Sequence, residues 1–325
     1  MPVVEDLAWS LTDGVAGFAV SATGTLVYLR ASEWNVPRRV VWTDRAGNER
    51  VLVPEAGPWA EPRRSPDGRW VALTRVEPRQ IWPFDIGRGV LTQLTRSQGV
   101  SFDAQWLPDS RSLIHSVETP TYDLARALID GTAGDTLIRS RRDKLASSVS
   151  PDGKSVIFTQ TEPHDRIMLA PLTGGTPTLL GSGAVTQLNG TFSPDGRWLA
   201  FEEVGANQRS DVFVRAFVGQ GGRRQVSADG GDQARWSRNG REIVYRKGDA
   251  VFAASFNPGT GEVGAPTLLF RKADAGRLFG GRTIGYDVTP DGSQFLMVTP
   301  VERVGSQPVV VVLHWLDELK AKVPR

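Results

Sequence analysis

Short apolar runs separated by tight turns recur along the whole chain. Runs such as 70–73, 156–158, 198–201 and 295–298 are rich in β-branched and aromatic residues, and each follows a turn signal closely. Runs of this length and composition, bounded by Gly, Pro, Asp and Ser, are typical of β-strands. A second segment ends just before the turn, often with a bulky residue such as Trp106. The order strand, tight turn, strand predicts a β-hairpin in each unit.

The turn signal is Ser-Pro-Asp-Gly or a degenerate form of it. Pro pre-sets φ at the first central position, Asp bonds its own backbone, and Gly adopts a positive φ without a clash. Seven copies, here called anchors, occupy residues 21–24, 65–68, 107–110, 150–153, 193–196, 237–240 and 289–292. Their fourth positions are separated by 44, 42, 43, 43, 44 and 52 residues. A repeat period in the forties is typical of propeller blades.

A second pair of strands follows the hairpin in most units. Segments 40–42 and 50–53 form one such pair, and 212–214 and 224–226 form another, each with a Gly-containing turn between its strands. Four strands per unit and seven units predict an all-β fold, a seven-bladed β-propeller of four-stranded antiparallel blades. We therefore expect one domain over the 325 residues, with a short amphipathic helix at 315–322 docked on the propeller.

Closure of the ring depends on the two ends of the chain. The last unit, which begins at the anchor 289–292, shows only three strands, the third at 308–313. Residues 2–7 have strand character and no local partner, so we expect this N-terminal strand to be the outer strand of the seventh blade. If 21–24 is not a genuine anchor, the same pattern gives six blades, and the sequence leaves that alternative open.

Composition and charge exclude several classes of function. The chain carries a formal net charge of +2 and no Cys, which rules out disulfides and thiolate chemistry. No apolar stretch approaches the length of a membrane span, and the N-terminus does not resemble a signal peptide, so we expect no membrane insertion. The basic cluster at 139–144 lacks a basic groove with interleaved aromatics, so we expect no nucleic-acid partner. We also expect a monomer.

The repeated Ser-Pro-Asp-Gly-(Arg/Lys) motif, with the later pattern at 211–214, resembles the TolB-like (WD40-like Pro-Asp-Gly repeat) β-propeller. The segments 309–320 and 18–28 together resemble the C-terminal propeller of bacterial receptor-type serine/threonine kinases. That resemblance implies a periplasmic or extracytoplasmic sensor or interaction module, with the chain as a detached sensor domain. The kinase Gly-rich loop and His-Arg-Asp motif do not occur in this sequence.

Motifs for catalysis are missing from the sequence. The Gly-x-Ser-x-Gly elbow of α/β-hydrolases does not occur. The three His residues, His115, His164 and His314, fall at different positions of their units, so they are not expected to converge on a metal. The anchor aspartates are explained by turn formation rather than by calcium binding. We expect no catalytic residue, no metal and no cofactor.

The remaining candidates for function line the predicted channel, because the first strand of each blade is innermost. Polar residues stand four positions before the first anchor residue at Glu61, Asp103, Asn189 and Gln233, and two positions before it at Arg63, Gln105, Thr191, Arg235 and Asp287. The ligand-binding candidates are Glu61, Arg63, Asp103, Gln105, Arg235 and Asp287 near the channel, with Trp34 and Trp59 at a rim.

Two functions fit these candidates. The first is a non-enzymatic scaffold that binds a protein or peptide partner, or a small ligand in the channel, at one face of the ring. The alternative is a metal-dependent enzyme of propeller-lactonase or lyase type, in which acidic residues such as Glu61 and Asp103 surround a divalent ion.

Overall fold

The structure, a computed structural model, describes residues 18–28, 37–76, 78–132, 134–161, 164–181, 185–218, 222–272, 282–301 and 309–322. These residues form β-strands and one short helix, and the strands are arranged in seven antiparallel sheets. Six of the sheets have four strands and one has three. The predicted all-β propeller of antiparallel blades is confirmed, with seven sheets for the seven predicted blades, six of them with the predicted four strands.

Five sheets are meanders of consecutive strands, here called blades 1 to 5. Blade 1 contains β5 (Trp59–Arg64), β6 (Trp70–Val76), β7 (Arg79–Asp85) and β8 (Val90–Leu91). Blade 2 contains β9 (Ser101–Trp106), β10 (Ser112–Glu118), β11 (Tyr122–Leu128) and β12 (Thr136–Ile138). Blade 3 contains β13 (Lys144–Val149), β14 (Ser155–Gln160), β15 (Arg166–Pro171) and β16 (Thr178–Leu179). Blade 4 contains β17 (Thr186–Phe192), β18 (Trp198–Val204), β19 (Ser210–Ala216) and β20 (Arg224–Gln225). Blade 5 contains β21 (Asp232–Trp236), β22 (Glu242–Lys247), β23 (Ala250–Ser255) and β24 (Thr267–Arg271).

Blade 6 joins strands from the two ends of the chain. Its strands, in order from the channel outward, are β25 (Asp287–Val288), β26 (Gln294–Pro300), β3 (Arg38–Asp44) and β4 (Glu49–Gly57). The seventh sheet combines β1 (Phe18–Val20), β2 (Leu26–Tyr28) and β27 (Val310–Val312), and the helix α1 (Trp315–Lys322) follows it. Leu316 of α1 packs against Gly24, in the turn between β1 and β2. No helix among the described residues is long and apolar enough to cross a membrane.

The ring around the channel closes with the six four-stranded blades. Innermost strands contact one another in the series β5, β9, β13, β17, β21 and β25, and β25 contacts β5 again. Hydrogen bonds from Arg238 N to Pro290 O (3.1 Å) and from Arg64 N to Asp287 Oδ2 (2.8 Å) join blade 6 to both neighbours. Six anchors thus serve the ring, which matches the alternative count of six blades, and the anchor 21–24 forms the hairpin of the three-stranded sheet.

The closing strands differ from those expected. Residues 2–7 lie outside the described residues, and the outer strands of blade 6 are β3 and β4, which the sequence pattern assigned to the unit of the anchor 21–24. The reason is the free edge of β26, which pairs with β3 over seven consecutive positions, from Gln294 opposite Asp44 to Pro300 opposite Arg38. The ring is therefore closed by strands from both ends of the chain.

The apolar core lies between neighbouring blades. Val41 and Phe295 of blade 6 pack with Val251 and Phe270 of blade 5, and all four are buried. Comparable clusters lie between blades 4 and 5 and between blades 3 and 4. Full burial of such a side chain stabilises the fold by about 1.5–3 kcal/mol, so blade stacking holds the ring and fixes the innermost strands around the channel.

Each anchor is a tight turn stabilised by its own side chains. In the first ring blade, Ser65 Oγ donates to Asp67 Oδ1 (2.6 Å), and Asp67 Oδ1 accepts from Arg69 N (3.0 Å). Gly68 has a φ of 78°, which only Gly adopts without strain. The same Ser-to-Asp bond recurs at 150–152 and 193–195, and a Thr-to-Asp bond recurs at 289–291. Because the turns are alike, the residues just before them reach equivalent positions in every blade.

Candidate functional site

A bowl-shaped cavity of about 430 Å³ opens at the mouth of the channel, where the anchor turns gather. All six ring blades contribute to it, and residues 21–24 do not. Its outer layer is formed by the second residue of each anchor: Pro66, Pro108, Pro151, Pro194, Arg238 and Pro290. Five rigid pyrrolidine rings and one guanidinium therefore surround the entrance, which we call the bowl.

The inner layer of the bowl consists of the residues two positions before each anchor. One comes from each blade: Arg63, Gln105, Ser148, Thr191, Arg235 and Asp287. The sequence pattern predicted five of these positions, and the structure brings the five together at one mouth. Ser148 was missed, although it has the same spacing to its anchor, because a small Ser carries little chemical signal. Arg64 and Arg238, which also line the bowl, were missed as well.

Charge in the bowl is concentrated on blades 5, 6 and 1. Four arginines line the cavity, Arg63, Arg64, Arg235 and Arg238, against a single carboxylate, Asp287. Blades 2, 3 and 4 contribute the neutral polar side chains of the inner layer. One half of the wall is therefore cationic and the other half carries neutral hydrogen-bonding groups.

Arg63 is held rigidly at the base of this cationic half. Its side chain is 3% exposed, and Nη2 donates to Ile284 O (2.6 Å). Nη1 donates to Pro62 O (2.8 Å) and Tyr286 O (3.1 Å). Burial, followed by the nearby charge of Arg235, lowers the pKa of Arg63 to about 9. The guanidinium is thus fixed by the backbone carbonyls of Pro62 and of the segment just before β25, in a site that disfavours its charge.

Arg235 sits beside Arg63 with free donors. Among the described residues, neither Nε nor Nη2 of Arg235 has a hydrogen-bond partner, although both atoms are buried. Nε of Arg63 is also buried and has no hydrogen-bond partner among the described residues. Arg64 and Arg238 form a second pair of like charges. Burial, followed by the nearby charge of Arg238, lowers the pKa of Arg64. Arg235 and Arg63, which line the bowl, therefore have buried guanidinium donors that the described protein groups leave unused.

Asp287 is the counter-charge between these arginines, but its oxygens are already engaged. Oδ2 accepts from Arg64 N (2.8 Å), and Oδ1 accepts from Val288 N (2.9 Å). The carboxylate ties blade 6 to blade 1, and it lowers the local positive charge without filling the donors of Arg235.

The residues four positions before the anchors do not line the bowl. Glu61, Asp103, Asn189 and Gln233 have φ values of 50°, 54°, 54° and 56° and are buried. Each lies at a β-bulge in its innermost strand, where the pairing register shifts. A bulge breaks the alternation of faces, so these side chains do not share the face of the residues two positions later.

The bulge residues instead join neighbouring blades, and we call each such bond an inter-blade latch. In each case the backbone N–H four positions before the anchor donates to a side chain of the preceding blade. The latches are Asp103 N to Glu61 Oε2 (3.0 Å), Ala146 N to Ser116 Oγ (3.0 Å), Asn189 N to Thr159 Oγ1 (3.1 Å), Gln233 N to Glu202 Oε1 (2.7 Å) and Gly285 N to Gln233 Oε1 (2.9 Å).

Glu61 and Asp103 therefore have surroundings unlike those expected of channel ligands. Glu61 also accepts from Thr74 Oγ1 (2.7 Å) and from Arg79 Nη2 (3.2 Å). Burial, and then the nearby Glu61, raises the pKa of Asp103 well above its ordinary value. Among the described residues, Oδ2 of Asp103 has no hydrogen-bond partner. The pair lies one layer below the bowl.

Glu202 is a buried acid that the sequence analysis missed. It is 1% exposed, and Oε1 accepts from both Gln233 N and Asn189 Nδ2 (2.7 Å each). Burial, followed by the charge of Asp232, raises its pKa to about 8. Two adjacent glutamates in the apolar run after the anchor 193–196 are the signal that could have found it.

Of the two tryptophans expected at a rim, Trp59 lies among the described residues, and it is not an exposed binding group. Trp59 is 3% exposed, its Nε1 donates to Glu55 O (3.1 Å), and its ring packs edge-on against Trp82. The expectation for Trp59 is wrong, because strand β5 begins at this residue and turns the ring into the core between blades. Trp34 lies outside the described residues.

One histidine, His115, lies in the protein core. His115 is 4% exposed on β10, and burial lowers its pKa to about 4, so it is neutral at physiological pH. In the described ranges, no three His, Asp or Glu side chains lie close enough to share a metal ion.

Comparisons with known proteins place the fold. No family model matches the chain. An uncharacterized protein of Agrobacterium fabrum is 27% identical over 154 residues, and the match covers 42% of this chain and 52% of that protein. The chain thus spans about half the length of the curated relative it matches.

Solved structures resemble the whole ring. A TolB protein from Agrobacterium tumefaciens superposes with a TM-score of 0.65 at 18% identity, over 82% of this chain and 99% of that one. TolB from Acinetobacter baumannii gives 0.56 at 17% identity, over 78% and 81% of the two chains. An oligogalacturonate lyase in complex with manganese gives 0.55 at 15% identity, over 95% and 84%.

The fold is that of a TolB-like β-propeller. This confirms the resemblance drawn from the Ser-Pro-Asp-Gly repeats. At these identities the likeness concerns the fold alone, since one propeller fold serves both enzymes and binding proteins. The resemblance to receptor-kinase propellers stays a prediction.

Proposed function

We propose that the chain is a non-enzymatic binding module whose bowl holds a peptide segment of a protein partner. The observation that carries this proposal is the composition of the inner layer. Six equivalent positions on the ring converge on one cavity, and they present cationic, anionic, amide and hydroxyl side chains. A cavity of about 430 Å³ falls within the range of ligand pockets.

The walls suit an extended peptide. Gln105, Ser148 and Thr191 on the neutral half carry groups that can donate to peptide carbonyls and accept from peptide amides. The prolines and Trp106 and Trp236 provide apolar surface around them. The TolB-like neighbours are consistent with binding of a protein partner.

A peptide selection tests the proposal. Short random peptides displayed on phage are selected against the immobilised protein, and the enriched peptides are titrated by fluorescence anisotropy. Pro151, exposed at the mouth, is changed to Trp to fill the bowl, and Val90, exposed on the outer strand β8, is changed to Trp as a matched control. Binding that is lost in Pro151→Trp and kept in Val90→Trp supports the proposal. Equal binding by both variants, or no enriched peptide, overturns it.

A metal-dependent enzyme of lactonase or lyase type is the second candidate. The observation that favours it is Asp103, whose Oδ2 lacks a partner among the described residues, one layer below the bowl and next to Glu61. The neighbouring lyase, which was solved with manganese, has the same fold. Elemental analysis of the purified protein tests this candidate, together with an assay of oligogalacturonate cleavage in the presence of Mn²⁺. Stoichiometric metal and turnover that disappear together in Asp103→Asn would support it.

A further inference from the structure

We infer that the bowl recognises an acidic segment, one carboxylate of which is held by Arg235 beside Arg63. This inference rests on the proposed function, because it names the chemistry of the ligand that the bowl accepts. It is carried by the cavity, by the arrangement of four arginines around Asp287, and by the unused guanidinium donors.

The arginines of the bowl repel one another in the free protein. Arg235 lies close enough to Arg63, and Arg238 close enough to Arg64, that each lowers the pKa of its neighbour. Like charges held together in a partly dehydrated cavity are costly unless an anion neutralises them. Neutralising this repulsion between the arginines would therefore increase the affinity of the bowl for an anion.

The unpartnered donors of Arg235 support this residue as the one that binds the carboxylate. Nε and Nη2 of Arg235 are buried without a partner among the described groups, and they belong to the planar fork that binds a carboxylate through two parallel hydrogen bonds. Arg63, 3% exposed, adds an unused Nε, and its other donors are fixed on Ile284 O and Tyr286 O. Arg63 therefore supplies a rigid charge, and Arg235 supplies the hydrogen bonds.

The charge of the inner layer favours a carboxylate over a phosphate. Arg63, Arg235 and Asp287 carry formal charges of +1, +1 and −1, so this layer has a net charge of +1 that one carboxylate balances, while Arg64 and Arg238 add positive charge outside it. A phosphate dianion would add a second negative charge next to Asp287. The neutral wall formed by Gln105, Ser148 and Thr191 matches the uncharged backbone on either side of an acidic residue.

Defined peptide sets test the inference. Four sets of fluorescein-labelled peptides share random flanks and differ in a fixed central residue, which is Asp or Glu, Asn or Gln, Lys, or phosphoserine. Anisotropy titrations at low and moderate salt give the Kd of each set for the wild type, for Arg235→Gln and for Arg271→Gln. Arg271, an exposed arginine at the outer edge of the same blade, is the matched control.

The expected result is that the acidic set binds most tightly, at least tenfold more tightly than the amide set. Arg235→Gln should abolish that preference, Arg235→Lys should restore part of it, and Arg271→Gln should leave it unchanged. Equal affinity for acidic and amide sets overturns the inference while the proposed function stands. So does tightest binding of the Lys set or of the phosphoserine set, or an acidic preference that survives in Arg235→Gln. Failure of every set to bind would contradict the proposed function itself.

Folding of the variant is checked separately. Because Nε and Nη2 of Arg235 bond to no described group and its charge repels Arg63, Arg235→Gln should unfold at a temperature no lower than the wild type. A clear loss of thermal stability would show that Arg235 has a structural role, and it would overturn the assignment of Arg235 as the ligand donor.

Discussion

The backbone amide of Gln233 donates to Oε1 of Glu202 at 2.7 Å, across the junction between blades 5 and 4. Gln233 makes a second bond of this kind with the other neighbouring blade, in which its Oε1 accepts from Gly285 N, just before β25 of blade 6. These latches use the bulge of each innermost strand to bond the blade before it. Because of the bulge, the side chain four positions before the anchor does not line the bowl, whereas the side chain two positions before the anchor does.

Glu202 should make stability depend on pH. Burial raises its pKa in the folded protein from an ordinary 4.5 to about 8. Between these two pH values, Glu202 is protonated in the folded protein and ionised in the unfolded chain. Stability should therefore fall as pH rises through this range, by up to about 1.4 kcal/mol per pH unit. In Glu202→Gln this contribution disappears, and the variant should be the more stable protein at pH 8.

Guanidinium denaturation between pH 5 and 9 measures this effect as the difference between variant and wild type. Glu203→Gln, at a partly exposed neighbour on the same strand, is the control and should keep the slope of the wild type. An unchanged slope in Glu202→Gln would contradict the burial of this acid.

Removal of Glu61 should destabilise the ring. Glu61→Ala removes the buried ion pair between Glu61 and Arg79 and leaves the Asp103 amide without the Glu61 acceptor. Loss of one member of a buried pair costs about 3–5 kcal/mol. Glu61→Gln, which keeps an acceptor oxygen, should cost less. Equilibrium unfolding in urea measures both, with Glu262→Ala at an exposed turn as the control. If Glu61→Ala unfolds like the control, the latch is not a source of stability.

Trp59 should matter for stability and not for binding. Its ring is buried against Trp82, so Trp59→Ala should cost about 3–5 kcal/mol. Trp59→Phe keeps much of the packing and loses only the bond to Glu55 O, at about 1 kcal/mol. Thermal unfolding measures the stability, and anisotropy with a bowl-binding peptide measures the affinity. A weaker affinity in folded Trp59→Phe would restore the original interpretation of Trp59 as a binding group.

Asp287 should set the strength of the positive field in the bowl. Asp287→Asn keeps an oxygen that can accept from Arg64 N, and it raises the net charge of the inner layer from +1 to +2. We expect acidic peptides to bind several-fold more tightly at low salt, with the gain shrinking as salt screens the field. Anisotropy at two salt concentrations measures this. A weaker affinity in Asp287→Asn at both would mean that Asp287 contacts the ligand directly.

Much of the fold could be predicted from the sequence because its signals are local. The Ser-Pro-Asp-Gly turns and the apolar runs after them are set by neighbouring residues. Ring closure was not predictable in the same way. The pairing of Gln294 with Asp44 joins residues 250 positions apart, and nothing in either segment specifies the other. For the same reason the anchor 21–24 was counted with the ring, although it serves the three-stranded sheet.

The candidate site was predicted in part. The spacing of two residues before the anchor located Arg63, Gln105, Arg235 and Asp287 correctly at one mouth of the channel. The spacing of four residues failed for Glu61 and Asp103 because simple alternation puts positions two apart on the same face. The bulge at positive φ breaks that rule, and bulges leave no clear trace in a single sequence. The burial of Trp59 was equally hidden, since Gly57 and Pro58 before it do not indicate that a core strand begins at this residue.

The most direct test of the account is a crystal structure of the protein with the tightest acidic peptide from the defined sets. We expect density for the peptide in the bowl, with one carboxylate within hydrogen-bond distance of Nε and Nη2 of Arg235 and with the peptide backbone against the neutral wall. Peptide density on any other surface, or a carboxylate that faces away from Arg235, would contradict it.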